Sequence, residues 1–170
     1  MGRLLTLTAI VLAPVWASAD DAPRVASINV CTDQLVMLLA EPDQIVSLSR
    51  LADDPRSSVM ASKAGLFAKN TGRAEALAVQ KPDVVVAGEY NDPALIALLR
   101  SIGIEVVQFP VTRALADIPG EIRKMGDVLG QAAKADRIAS DLEQTLEKPR
   151  PLTDDAPLAA FFFPNGFALG

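Results

Sequence analysis

Between Lys81 and Phe109 the chain carries one complete strand–turn–helix–strand unit, and no other stretch narrows the fold as much. Residues 84–87, Val-Val-Val-Ala, form an apolar run without polar alternation, the pattern of a strand buried on both faces of a parallel sheet. Residues 88–92 make a turn, and Pro93 suits the first turn of a helix, where its missing N–H would be unpaired anyway. Leu95, Ile96, Leu98, Leu99 and Ile102 then recur at helical spacing, and Gly103 ends the helix. Residues 104–109 return as a strand. Two parallel strands need a crossover of this kind. The predicted class is therefore α/β, with a Rossmann-like, mostly parallel sheet.

The start of the chain is read as an export signal. Met1-Gly-Arg3 is a short positive opening, residues 4–16 are apolar, and Ala17-Ser18-Ala19 is a small-residue cleavage site before Asp20-Asp21. The apolar run is too short for the roughly 20 residues of a membrane-spanning helix. A signal peptide over residues 1–19, cleaved after Ala19, is expected.

Composition excludes several function classes. Lys and Arg number 16 against 21 Asp and Glu, a net charge of −5, and loss of Arg3 with the leader brings it to −6. That balance argues against nucleic acid as a partner. There is no histidine, which removes Ser-His-Asp and Cys-His nucleophile arrangements and histidine zinc sites. Asp20-Asp21, Asp53-Asp54 and Asp154-Asp155 read as loop and linker acids rather than catalytic pairs. No glycine-rich phosphate loop or repeat is present. Cys31 is the single cysteine, so it has no internal disulfide partner, and it is expected as a small buried apolar residue. No catalytic residue, resident metal or cofactor is expected. A binding protein is the leading reading; an exported α/β enzyme using carboxylates and a stand-alone ligand-binding or sensor module stay open.

Along the chain, residues 24–30 read as a strand, and Thr32 as the cap of a helix over 33–40 whose Leu35, Val36, Leu38 and Leu39 form the buried face. Residues 44–48 give the second strand. A polar loop over 49–58, a helical patch near Val59 and a short helix over 73–79 follow. These elements and the opening unit make an N-terminal lobe over residues 20–113. Residues 114–148 are mostly helical, with Ile118, Ile122, Met125 and Leu129 on one face, a break near Gly130, and Ala135, Ile138, Ala139, Leu142 and Leu146 continuing the stripe. Their length suits a connector. Residues 149–157 form a linker, and a new strand begins at Leu158. It either joins the first sheet or opens a second lobe; the second reading is preferred, so that residues 149–170 are the incomplete start of that lobe.

Four ordered segments carry a family resemblance: Arg24-Val-Ala-Ser-Ile-Asn-Val-Cys-Thr-Asp-Gln-Leu35, Asp43-Gln-Ile-Val-Ser-Leu-Ser49, Glu75-Ala-Leu-Ala-Val-Gln-Lys-Pro-Asp-Val-Val-Val-Ala-Gly88 and Phe161-Phe-Phe-Pro-Asn-Gly166. With them the chain resembles the periplasmic substrate-binding proteins of ABC importers, of the ferric-siderophore and vitamin B12 class. The resemblance implies two α/β lobes joined by a long linker helix, here residues 135–146, with a ligand held in the cleft between them. It implies a monomer in the periplasm, a small metal chelate as ligand, and a membrane permease dimer as partner. It assigns cleft positions to Asn29, Cys31 and Thr32 after the first strand, Ser49 and Arg50 after the second, Phe67 in the next loop, and Glu89 and Tyr90 after the third strand. Phe163 and Asn165 would contribute from the other lobe. Arg50 is either a partner for carboxylate or catecholate oxygens or a solvated loop arginine. Phe67 is either a cleft residue or simply packed against the lobe, Tyr90 either a cleft residue or a capped turn residue, and Glu75 either a docking acid or an ordinary exposed helix glutamate. Glu75, seven residues before Pro82, falls where relatives carry an acid that docks on permease arginines.

For the ligand, relatives that bind haem often place a tyrosine where Phe67 stands, and phenylalanine cannot ligate iron. That argues against haem. One tyrosine, six phenylalanines and no tryptophan after the leader favour a ferric siderophore over the aromatic-rich sites of corrinoid binders, with cobalamin next.

Overall fold

The computed structural model describes residues 22–148 together with the strand segments Phe161–Phe162 and Ala168–Leu169. Four short parallel strands, β1 (Val25–Ser27), β2 (Ile45–Ser47), β3 (Val84–Gly88) and β4 (Glu105–Phe109), form one sheet in the order β2-β1-β3-β4. Their connections are helical: α1 (Val30–Leu39), α2 (Ala61–Ala64), α3 (Ala74–Gln80) and α4 (Pro93–Ser101). Two further helices, α5 (Ile118–Val128) and α6 (Ala132–Glu147), follow the sheet. Among the described residues no helix is long and apolar enough to cross a membrane.

β3 shows why the sheet is a middle layer. All five of its residues are buried, and they alternate between two cores. Val84 and Val86 face a cluster built with Val36 and Leu39 of α1, Ile122 and Met125 of α5, and Ala135 and Ala139 of α6. Val85 and Ala87 face a second cluster with Leu77 of α3 and Ile96 and Leu99 of α4. Each fully buried aliphatic side chain contributes about 1.5–3 kcal/mol of apolar burial, which is why this strand tolerates no polar position.

The opening unit forms as its sequence indicates. Asp92 caps α4 by accepting the Ala94 N–H at 2.9 Å, Pro93 sits in the first turn, and Gly103 closes the helix at φ +85°. The helix stands on Ile96 and Leu99, whereas Leu98 and Ile102 are half exposed, so the apolar face is narrower than its spacing indicates.

Three boundaries differ from expectation. β1 ends at Ser27, and α1 starts at Val30 under an Asn29 cap rather than at a Thr32 cap. The Asn29 side chain accepts the Cys31 N–H at 2.9 Å, which leaves Thr32 inside the first turn with its hydroxyl turned into the protein. The helical patch forms at Ala61–Ala64, and Val59 itself is 95% exposed. On α1, Val36 and Leu39 are buried as expected, joined by Met37 and Asp33, while Leu38 is exposed.

Residues 114–148 fold as an antiparallel hairpin. Gly130 turns it at φ +68°, and Gly126 of α5 meets Ala135 of α6 so closely that an added Cβ would lie 2.2 Å from the Ala135 Cβ. Arg123 spans the two helices, bonding Asp136 at 2.9 Å and Glu143 at 2.6 Å and 3.0 Å. This multiple pairing pulls Glu143 below the usual carboxylate range, chiefly through the Arg123 hydrogen bonds. Lys134 of α6 reaches back to the Leu39 carbonyl at 2.8 Å. It thereby supplies a cation to the C-terminus of α1, whose own last turn has none.

The chain beyond residue 148 supplies Phe161–Phe162 paired antiparallel with Ala168–Leu169, a two-stranded unit separate from the main sheet.

Candidate functional site

In sheet order, the crossover from β1 runs outward to β2, while β3 and β4 lie on the other side of β1. β1 and β3 are thus the neighbours at which connections diverge, with α1 packed on one face and α4 on the other. In open parallel sheets the crevice outside the carboxyl ends of such a pair is where ligands bind. Here Asn29 follows β1 and Gly88 closes β3. The two are in direct contact: a Cβ on Gly88 would lie 2.6 Å from Asn29 Nδ2. Glycine at position 88 is what lets the Asn29 amide lie across the gap.

Two depressions open on either side of Asn29. One, of about 200 Å³, is lined by Asn29, Cys31, Thr32, Glu89, Tyr90 and the Phe109–Thr112 segment. The other, of about 210 Å³, is lined by Asn29, Ser49, Arg50, Leu51 and the Asn70–Gly72 segment. The loops after β1 and β3 therefore meet in the first, and those after β1 and β2 in the second.

The sequence-derived candidates divide by what their polar atoms already do. Thr32 is buried, and its hydroxyl bonds the Asn29 carbonyl at 2.9 Å and Ser27 Oγ at 2.8 Å. Ser49 gives both its N–H (3.0 Å) and its hydroxyl (2.6 Å) to the carboxylate of Asp33. These two hold the walls. Glu89 accepts the Val111 N–H at 3.1 Å, tying the loop after β3 to the one after β4. Cys31 is exposed at the rim, contrary to the buried position expected for a lone apolar thiol; it lies in the first turn of α1, where the chain faces the depression rather than the sheet. Tyr90 is 77% exposed and Arg50 is exposed, and Arg50 has no ion-pair partner among the described residues. Phe67 lines neither depression; it is partly buried and packs against the core cluster that includes Val36 and Leu39 of α1. Phe163 and Asn165 lie outside the described residues.

Glu75 stands apart from the depressions. It is exposed in the first turn of α3, and it lines a groove of about 740 Å³ between α3 and α4 with Arg73, Asp92, Leu95 and Leu98. Gly72 borders both this groove and the Arg50 depression. Among the described residues no group of three His, Cys, Asp or Glu side chains is placed to hold a metal ion.

Three polar residues that shape the site were not singled out from sequence. Asp33 is fully buried, and desolvation pushes its carboxyl above the usual range even though Ser49 donates to it twice. Asn70 is also buried; its amide spans the Ser27 carbonyl at 2.8 Å and Ser47 Oγ at 3.0 Å, and its Oδ1 accepts the Gly72 N–H. Asn91 accepts the Gly88 N–H at 2.7 Å and donates to the Ile28 carbonyl at 3.3 Å. Asp33 carried a signal: it sits three and four residues before Val36 and Met37, on the buried face of an apolar helix.

A parallel-sheet lobe with loop-lined depressions at its switch point defines a class of ligand-binding α/β proteins. The family is fixed by comparison. Residues 25–166 match the family model for periplasmic binding proteins, and the chain belongs to that family. No curated protein matches it. Among solved structures it is similar to a periplasmic vitamin B12 binding protein of Vibrio cholerae, with a TM-score of 0.59 and 23% identity over 74% of this chain and 49% of that one. It is also similar to a periplasmic heme binding protein from Pseudomonas aeruginosa, with a TM-score of 0.59 and 20% identity over 74% and 44%. A possible iron-binding periplasmic solute-binding protein from Staphylococcus epidermidis gives a TM-score of 0.60 and 17% identity over 74% and 49%. The chain thus spans about half the length of these structures.

Proposed function

We propose that this protein is the solute-binding component of an ABC importer, exported to the periplasm by cleavage after Ala19, and that it captures a ferric siderophore or cobalamin. The observation that carries the reading is the pair of depressions at the β1/β3 switch point, with Asn29 between them and the Arg50 guanidinium exposed at the rim. An arginine with no ion-pair partner among the described residues suits the anionic oxygens of a catecholate or carboxylate chelate. Cys31, Glu89 and Tyr90 form the opposite rim, and Phe163 and Asn165 are assigned to the facing lobe, with residues 135–146 as the helix leading toward it. Glu75, exposed on α3, is assigned to docking on the permease. The protein acts as a monomer. The similar structures are named for vitamin B12, heme and iron, which supports a metal-containing ligand. Heme is the least suited of them, since Phe67 stands where relatives that bind haem often carry a tyrosine, and this sequence has no histidine to ligate iron.

Titration calorimetry with a ferric tris-catecholate, a ferric hydroxamate and cyanocobalamin tests this reading. Saturable binding of one of the three is expected, with Arg50→Gln weakening the catecholate complex about tenfold, as removal of a charged hydrogen-bond donor does. Binding of none of them would overturn the ligand class.

A further inference from the structure

We infer that Asp33 is a positioning residue for ligand capture: its buried carboxylate fixes the Ser49–Arg50 turn and so sets where the Arg50 guanidinium stands at the rim of the depression. The inference rests on the proposed ligand role of Arg50.

Asp33 lies on α1 and Ser49 follows β2, sixteen residues later in the chain. The two carboxylate oxygens divide the work. Oδ1 accepts the Ser49 backbone N–H at 3.0 Å and Oδ2 accepts the Ser49 hydroxyl at 2.6 Å. Ser49 Oγ in turn accepts the Leu51 N–H at 3.3 Å, on the far side of Arg50. Both residues flanking Arg50 are therefore tied, directly or through one hydroxyl, to a single carboxylate. Arg50 itself makes no ion pair among the described residues, so its placement comes from its neighbours. The carboxylate is fully buried, and a buried acid costs stability unless its hydrogen bonds return it. A side chain kept there only for packing would be served better by an apolar one, as at the buried Val36, Met37 and Leu39 of the same helix. The bidentate contact to one turn is the distinguishing feature, and charge-assisted bonds of this kind impose geometry as well as energy.

Asp33→Ala removes both acceptors, whereas Asp33→Asn keeps one for the Ser49 N–H. Two measurements on the full chain separate the possibilities. In hydrogen exchange, Asp33→Ala is expected to speed exchange at the Ser49 amide about tenfold or more, with β3 amides unchanged and Asp33→Asn restoring most of the protection. In calorimetry with a ferric tris-catecholate, Asp33→Ala is expected to lose about tenfold in affinity in the wild-type background and nothing further in the Arg50→Gln background. A role confined to stability would give the same loss in both backgrounds, and that additive result, or unchanged Ser49 exchange, would overturn the inference. If the wild-type protein binds no chelate, the ligand reading fails by itself, and the exchange result still decides whether Asp33 sets the turn.

Discussion

Asn29 does two jobs with one side chain. Its Oδ1 caps α1 through the Cys31 N–H, and its amide nitrogen lies against Gly88 at the switch point. Gly88→Ala would force a Cβ to within 2.6 Å of that nitrogen and 2.9 Å of Cγ, so the asparagine must rotate and the cap is lost. We expect a destabilisation of about 1–2 kcal/mol, the range of a lost N-cap, together with weaker ligand binding. Unfolding by urea at unchanged m-value measures the first, and a stability equal to that of the wild type would show that the contact is dispensable. Asp33 gives a second expectation at this scale, through pH. Burial raises its folded pKa above the ordinary 3.8, so the native state holds the proton more tightly than the unfolded chain does. Its contribution to stability is full below that ordinary value and is lost as pH rises through the folded one. Asp33→Asn does not titrate. Its melting temperature relative to wild type should therefore rise as pH goes from about 4 to about 7, and a difference independent of pH would refute the assignment.

At the scale of elements, much was legible because the strand signal does not depend on context. A run such as Val84–Gly88 has nowhere to go but the middle of a sheet, and Pro93 with Gly103 brackets α4 by backbone chemistry alone. The site was less legible. Thr32 and Asn29 are both good caps in sequence, and the choice between them is made by Ser27, which takes the Thr32 hydroxyl into the interior. Phe67 packs against the core cluster and lines neither depression, a placement set by tertiary packing that its local sequence does not signal. Asn70 could not be read at all, since its partners lie 23 and 43 residues away on two different strands. The α5–α6 hairpin offers the sharpest test here. Gly126 and Ala135 approach so closely that Gly126→Ala must push the helices apart. Overpacking of this sort costs about 1–3 kcal/mol, and it should fall on α6 first, read as faster amide exchange along that helix than in β3. Equal acceleration everywhere would mean that the hairpin and the sheet open as one unit.

For the whole molecule, the two candidate surfaces are joined by a short piece of backbone. Gly72, held through its N–H by Asn70, borders both the Arg50 depression and the α3–α4 groove that carries Glu75. The depressions sit at the strand ends, and Glu75 starts a helix at the same end of the sheet, yet it shares no lining residue with the depression beside Tyr90. The proposed binding and docking roles are therefore separable by mutation, and the proposed role in import requires that they be. An exposed acid at a docking rim acts mainly by steering and registering its partner rather than by adding affinity. Glu75→Arg reverses that charge without touching a buried contact, so chelate affinity should match the wild type and stability should fall by no more than about 1 kcal/mol, the cost of a cation in the first turn of α3. Uptake of the ferric chelate by cells carrying the variant should fall about tenfold or more, from like-charge repulsion against basic residues of a permease. Restoration by an acidic substitution on the permease would establish the pair. Normal uptake would remove Glu75 from the docking surface while leaving the binding site as described.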